Sequence, residues 1–146
     1  MIQVKNMVSK KDRREIQTIL YELIDYNRDF YITKDNIRLF IKDNFDVLIK
    51  DLRKGDVIGW SENAVGVIVG FADKTKRKYL KILYKNVYEA KKLLKVMLFW
   101  KFPNLGVYMK VKKTNRILNV LMKEFGFKKT GDRGSEVLLF RSRPNG

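Results

Sequence analysis

The sequence predicts an α/β fold, a mixed, mostly antiparallel central sheet with helices on both faces. Three observations carry this expectation. Val57 to Trp60 and Val65 to Phe71 are apolar runs separated by the turn residues Ser61, Glu62 and Asn63, which reads as an antiparallel hairpin. Tyr79 to Tyr84, Val87 to Phe102 and Val107 to Val111 follow one another as strand, helix and strand. Phe127 to Lys129 and Val137 to Phe140 form a last hairpin across Gly131, Asp132, Arg133 and Gly134.

Ile2 to Val4 reads as a short first strand. Ser9 is an N-cap candidate, followed by Ile16, Ile19, Leu20, Leu23 and Ile24 at helical spacing. Thr33 can cap a second helix with Ile37, Phe40 and Ile41 inward, and Phe45 to Leu52 fits either its extension or a strand. After the first hairpin, Asp73 to Lys78 reads as a charged loop. The strand from Tyr79 sets Leu80, Ile82 and Tyr84 against Lys81 and Leu83. Asn86 caps the long helix, whose wide apolar face holds Leu93, Leu94, Met97, Leu98 and Phe102, and Pro103-Asn104 ends it. Val107, Met109 and Val111 alternate as a strand. Asn115 opens a helix with Ile117, Leu118, Leu121, Met122 and Phe125 inward, closed by Gly126 as a positive-φ residue. With neither repeat nor linker, the 146 residues read as one domain.

Composition limits the chemistry. The absence of cysteine excludes disulfides and thiolate metal sites, and agrees with a cytoplasmic location. The absence of histidine removes the commonest general base and metal ligand, so no metal site is expected. Met1 is not followed by a signal-peptide-like apolar run, and no stretch is apolar for long enough to span a bilayer. The net charge of +16 is unevenly spread: residues 1–71 carry 12 Lys/Arg against 11 Asp/Glu, and residues 72–146 carry 20 against 5. Such a field concentrates anions, whether nucleotide cofactors, nucleic acid or acidic proteins.

Val111-Lys112-Lys113-Thr114-Asn115 before a helix, with Gly126-Phe127 closing it eleven residues after the asparagine, resembles the GNAT superfamily of N-acetyltransferases. The likeness spans nearly the whole chain and is densest from Tyr79 to Arg141. Lys85-Asn86-Val87-Tyr88-Glu89-Ala90 is similar to that family's phosphate loop, with Lys85 at its Arg/Gln position, Ala90 within the pattern and Tyr88 where it has glycine. The resemblance implies transfer of an acetyl or other acyl group from acyl-CoA to an amine. It implies that helix N-terminal amides hold the diphosphate and that Ile82, Leu83 and Tyr84 flank the thioester. Lys85, Asn86, Tyr88, Ala90, Lys91 and Asn115 then line the carrier, with Lys92 close by. Met122 stands where many members place a tyrosine acid, and reads as core. Tyr84, Tyr88 and Tyr108 are neighbouring tyrosines; Tyr84 and Tyr108 are carried as catalytic candidates. Glu62, Asp73 and Glu89 are the base candidates nearest in chain order, each also readable as a solvated surface acid.

A rival reading is a catalytically silent GNAT-like basic domain that binds nucleic acid or an acidic protein, using Tyr79, Tyr84, Tyr88 and Trp100 interleaved with lysines. A purely structural role is a third. The acceptor is unidentified, with an acidic one favoured by charge, and both monomer and homodimer remain open.

Overall fold

The computed structural model describes residues 1–30, 38–39, 41–46, 49, 52, 55–70, 77–101 and 106–142. Seven strands form one sheet in the order β1-β2-β3-β4-β5-β7-β6. They are β1 Gln3–Lys5, β2 Val57–Ser61, β3 Ala64–Gly70, β4 Lys78–Tyr84, β5 Val107–Lys112, β6 Lys128–Arg133 and β7 Glu136–Arg141. Only β4 and β5 pair in parallel among the described residues. Among the described residues the longer α-helices are α1 Lys10–Glu22, α2 Val87–Leu94 and α3 Arg116–Glu124. The expected mixed, mostly antiparallel sheet is therefore observed.

The first helix starts where its cap chemistry places it. Ser9 Oγ accepts from Asp12 N at 3.0 Å, and Asp12 Oδ2 accepts from Ser9 N at 3.1 Å. The Lys5 ammonium, 3.0 Å from Asp12 Oδ2, and the Ser9 N–H hold that carboxyl below its ordinary value. Replacing Ser9 with Ala leaves an orphan N–H in the first turn, so a loss of about 1 kcal/mol in denaturant unfolding is expected.

Period-two alternation sorts side chains to two cores. Leu80, Ile82 and Tyr84 of β4 and Val107, Met109 and Val111 of β5 lie in the cluster under α2 and α3. Leu83 of β4 and Val65, Val67 and Val69 of β3 lie in the cluster under α1. Helix α2 and the turns that continue it to Met97 sit low on the sheet because two glycines admit them. A Cβ at Gly59 would stand 2.7 Å from Met97 Sδ, and one at Gly66 3.0 Å from the same atom.

Several boundaries differ from expectation. The first hairpin turns on Glu62-Asn63 alone, since Ser61 pairs with Ala64. Lys78 opens β4 instead of ending a loop, because its ammonium is drawn to Asp56. The last hairpin is longer than its apolar residues show. It turns at Gly134-Ser135, and Gly131 lies inside β6 at a register shift, on an exposed edge strand whose polar residues hide the pattern. Gly134 and Gly126 have φ of 62° and 86°. The expected long helix is α-helical only to Leu94 and widens to a π-helix over Lys95–Lys101, a change of winding that apolar spacing does not encode. Lys42–Asp46 is a π-helical turn, so that ambiguous stretch is helical there. Thr33, Ile37, Phe40, Asp73 and Pro103-Asn104 lie outside the described residues. No helix among the described residues is long and apolar enough to cross a membrane.

Candidate active site

The central feature is a parting of strands. β4 and β5 share one register pair, Tyr79↔Tyr108. Lys85 N donates to Asn63 O across the β3 side, so alternation turns the backbone groups of Leu80, Ile82 and Tyr84 toward β5. Past Leu80 no ladder joins the strands, and the N–H and C=O of Ile82 face a gap.

Because the strands are parallel, the loop after β4 and the loop after β5 flank the same, open end of this gap. On one side Asn86 caps α2, its Oδ1 accepting from Glu89 N at 3.0 Å. On the other side Asn115 caps α3, its Oδ1 accepting from Leu118 N at 3.1 Å. Asn115 Nδ2 is buried with no acceptor, a cost of about 1–3 kcal/mol unless a ligand supplies one.

The expected site residues divide clearly. Ile82, Tyr84, Lys85, Asn86 and Asn115 border the open end. Tyr88 turns its ring to solvent at 67% exposure, with Lys92 Nζ 4.7 Å from the centroid, so the phenol does not plug the mouth. Leu83 and Ala90 are core, on the α1 and α2 sides respectively. Lys91 pairs with Glu124 of α3 at 3.0 Å, and Lys92 with Glu89 at 3.3 Å, whereas Lys85 lies 5.8 Å from the Tyr26 ring centroid. Met122 is fully buried in the α2–α3 core.

Tyr84 and Tyr108 are not brought together. Tyr108 sits at the closed end, its ring tilted against Tyr79 and Phe140 with centroids 5.7 and 4.5 Å away, and under the Arg77 guanidinium. Tyr84 lies five residues beyond Tyr79, about 17 Å along the strand. Of the base candidates, Glu62 is exposed on the β2–β3 turn, beside a concavity of about 440 Å³ that Glu15 and Glu22 also line. Glu89 is engaged by Lys92. Of the four aromatics offered for base stacking, Tyr79 and Tyr84 are interior at 5% and 7% exposure, Tyr88 is exposed, and the Trp100 side chain lies outside the described residues.

Among the described residues, Lys81 carries a strongly perturbed charge. Burial and the neighbouring Lys110 ammonium lower its pKa from 10.5 to about 8, and Glu136 opposes them. A depressed lysine is penalised while protonated, so it destabilises the fold fully below pH 8. The penalty fades as pH rises toward 10.5, because the unfolded chain then holds more protons. Lys81→Met is therefore expected to raise stability near neutrality by about 1–2 kcal/mol after solvent screening. Denaturant unfolding of both proteins from pH 7 to 10.5 should show the difference shrinking.

One residue escaped the sequence reading. Asn27 is fully buried in the 3-10 segment Leu23–Phe30 and bonds to Tyr84 of β4. Its signal was positional: it continues the apolar stripe of Ile16, Leu20 and Leu23, where a polar side chain is out of place.

A sheet whose parallel pair parts beside a helix N-terminus is the architecture of the GNAT acetyltransferases, and solved structures agree. The chain is similar to the PaiA N-acetyltransferase of Thermoplasma acidophilum in complex with coenzyme A, with a TM-score of 0.67, 15% identity and coverage of 97% of this chain and 99% of that one. It is similar to a probable acetyltransferase of Staphylococcus epidermidis, with a TM-score of 0.63, 12% identity and coverage of 99% and 100%. A GNAT-family acetyltransferase of Listeria monocytogenes gives a TM-score of 0.59 at 16% identity, covering 96% and 94%. The chain thus has the GNAT fold. No family model matches the sequence, and no curated protein does.

Proposed function

We propose that this protein is an N-acyltransferase that moves an acetyl or other acyl group from acyl-CoA to an amine. The observation that carries this reading is the gap between β4 and β5, opened after the single pair Tyr79↔Tyr108. Its chemistry suits an amide-bearing, phosphorylated carrier. The backbone of Ile82 offers a donor and an acceptor, Asn115 Nδ2 offers a second donor, and the first amides of α2 lack intrahelical partners. Glu89 N is taken by Asn86 Oδ1, so the amides of Val87 and Tyr88 and the dipole are what favour a diphosphate there. Lys85 adds charge, while Glu89 in the first turn opposes it and is itself offset by Lys92.

In the reaction the amine nitrogen bonds to the thioester carbon and the carbon–sulfur bond breaks. The proton lost by the amine balances that gained by the thiolate. In this reading the Ile82 N–H polarises the thioester oxygen. Tyr84, whose backbone faces the same gap, is the tyrosine nearest the leaving sulfur, in place of the proton donor that Met122 does not supply. The acyl group and the acceptor belong to this proposal too.

Thermal unfolding with acetyl-CoA tests it. At a hundredfold excess over Kd, linkage raises stability by about 2.7 kcal/mol. Single-stranded DNA serves as the polyanion control. A midpoint unmoved by acetyl-CoA but raised by DNA, fading with salt, would refute the enzyme reading.

A further inference from the structure

We propose that Asn27 binds the carrier, its Oδ1 accepting a hydrogen bond from the pantetheine amide nearest the diphosphate. This rests on the acyl-CoA reading and adds to it a side chain from the α1 side of the sheet.

Asn27 is 0% exposed. Its Nδ2 donates to Leu23 O at 2.7 Å and to Tyr84 O at 3.1 Å. Both neighbours are carbonyl oxygens, which fixes the carboxamide orientation: nitrogen toward them, Oδ1 away. Oδ1 is buried and has no donor. The backbone at Asn27 (φ −119°, ψ 22°) departs from helical geometry, interrupting the segment where the carboxamide meets β4.

Tyr84 O lies on the edge of β4 that faces the gap. An extended ligand chain entering there would ordinarily place an amide N–H on that carbonyl. Asn27 has taken the carbonyl with Nδ2 and presents Oδ1 beside it, so the acceptor is carried one group further from the strand. A buried, donor-seeking oxygen beside that carbonyl discriminates strongly between ligands that bring an N–H and those that do not.

Isothermal titration of the full chain tests this with coenzyme A and with an analogue in which that amide is an ester. The wild-type protein should bind the ester about tenfold more weakly, as expected for one lost hydrogen bond. Asn27→Ala should bind coenzyme A about tenfold more weakly than wild type and no longer distinguish the two ligands. Equal binding of both ligands by the wild type overturns the proposal, and this arm needs no variant to fold. An ester penalty that persists in Asn27→Ala also overturns it, assigning the contact to the backbone. A wild-type protein that binds neither ligand refutes the acyl-CoA reading itself.

Discussion

Ile82→Pro is expected to lower turnover by about 10²–10³-fold while the chain still folds, the effect seen when one oxyanion donor is removed. Proline in a strand ordinarily destroys a ladder hydrogen bond. Here the lost N–H faces the gap, because β4 and β5 have no register pair after Tyr79↔Tyr108. The bonds from β4 to β3 run through the odd-numbered residues and are untouched. Ring closure fixes φ near −65°, within the extended range, and the preceding Lys81 is already in a strand. Steady-state kinetics with acetyl-CoA and an amine panel, set beside thermal melting, separates the outcomes. A folded variant with unchanged turnover would remove the Ile82 amide from the mechanism.

Asp56→Ala is expected to cost about 3–5 kcal/mol, the range for stripping one partner from a buried ion pair. For a chain of this size that lowers the melting midpoint by about 10 °C. Asp56 is 3% exposed and precedes β2. Its Oδ1 accepts from Gly70 N, the last residue of β3, at 3.1 Å, and from the ammonium of Lys78, the first of β4. One carboxylate thus ties the ends of three strands. Alanine leaves the Lys78 ammonium, 22% exposed, and the Gly70 amide without it. Asp56→Asn keeps an acceptor for Gly70 and should lose less. A midpoint within about 2 °C of wild type for Asp56→Ala would show that the pair's attraction merely balances its desolvation.

How much of this was legible follows from what each signal encodes. Strands β2 and β3 could be read because Val57, Ile58, Val65, Val67 and Val69 are buried, leaving little but turn residues between them. Helix α3 could be read because Asn115, the Leu118–Leu121–Met122 stripe and Gly126 mark start, face and stop, although Ile117, expected inward, is exposed. Strand β6 could not be bounded, since five of its six residues are exposed and no alternation exists to find. The gap itself has no local signature. A missing ladder is an absence of pairing, and pairing between β4 and β5 joins residues about thirty apart, beyond any local pattern. The Lys91–Glu124 pair could not be read either, since Glu124 sits on another helix that becomes a neighbour only on folding. Asn27 shows the same limit from the other side: one carboxamide acquires meaning only when the end of a distant strand arrives against it.

The single clasp at Tyr79 and Tyr108 has a mechanical consequence. Among the described residues the two leaves of the sheet, β1 to β4 and β5 to β7, share that one ladder pair and the core beneath α2 and α3, and under the proposed function a guest laid between the pages becomes an additional strand shared by both. Cohesion of the two leaves and affinity for the guest are then linked quantities. Amides far from any ligand atom, on β3 as well as β7, should exchange with solvent more slowly once the book is closed on its guest.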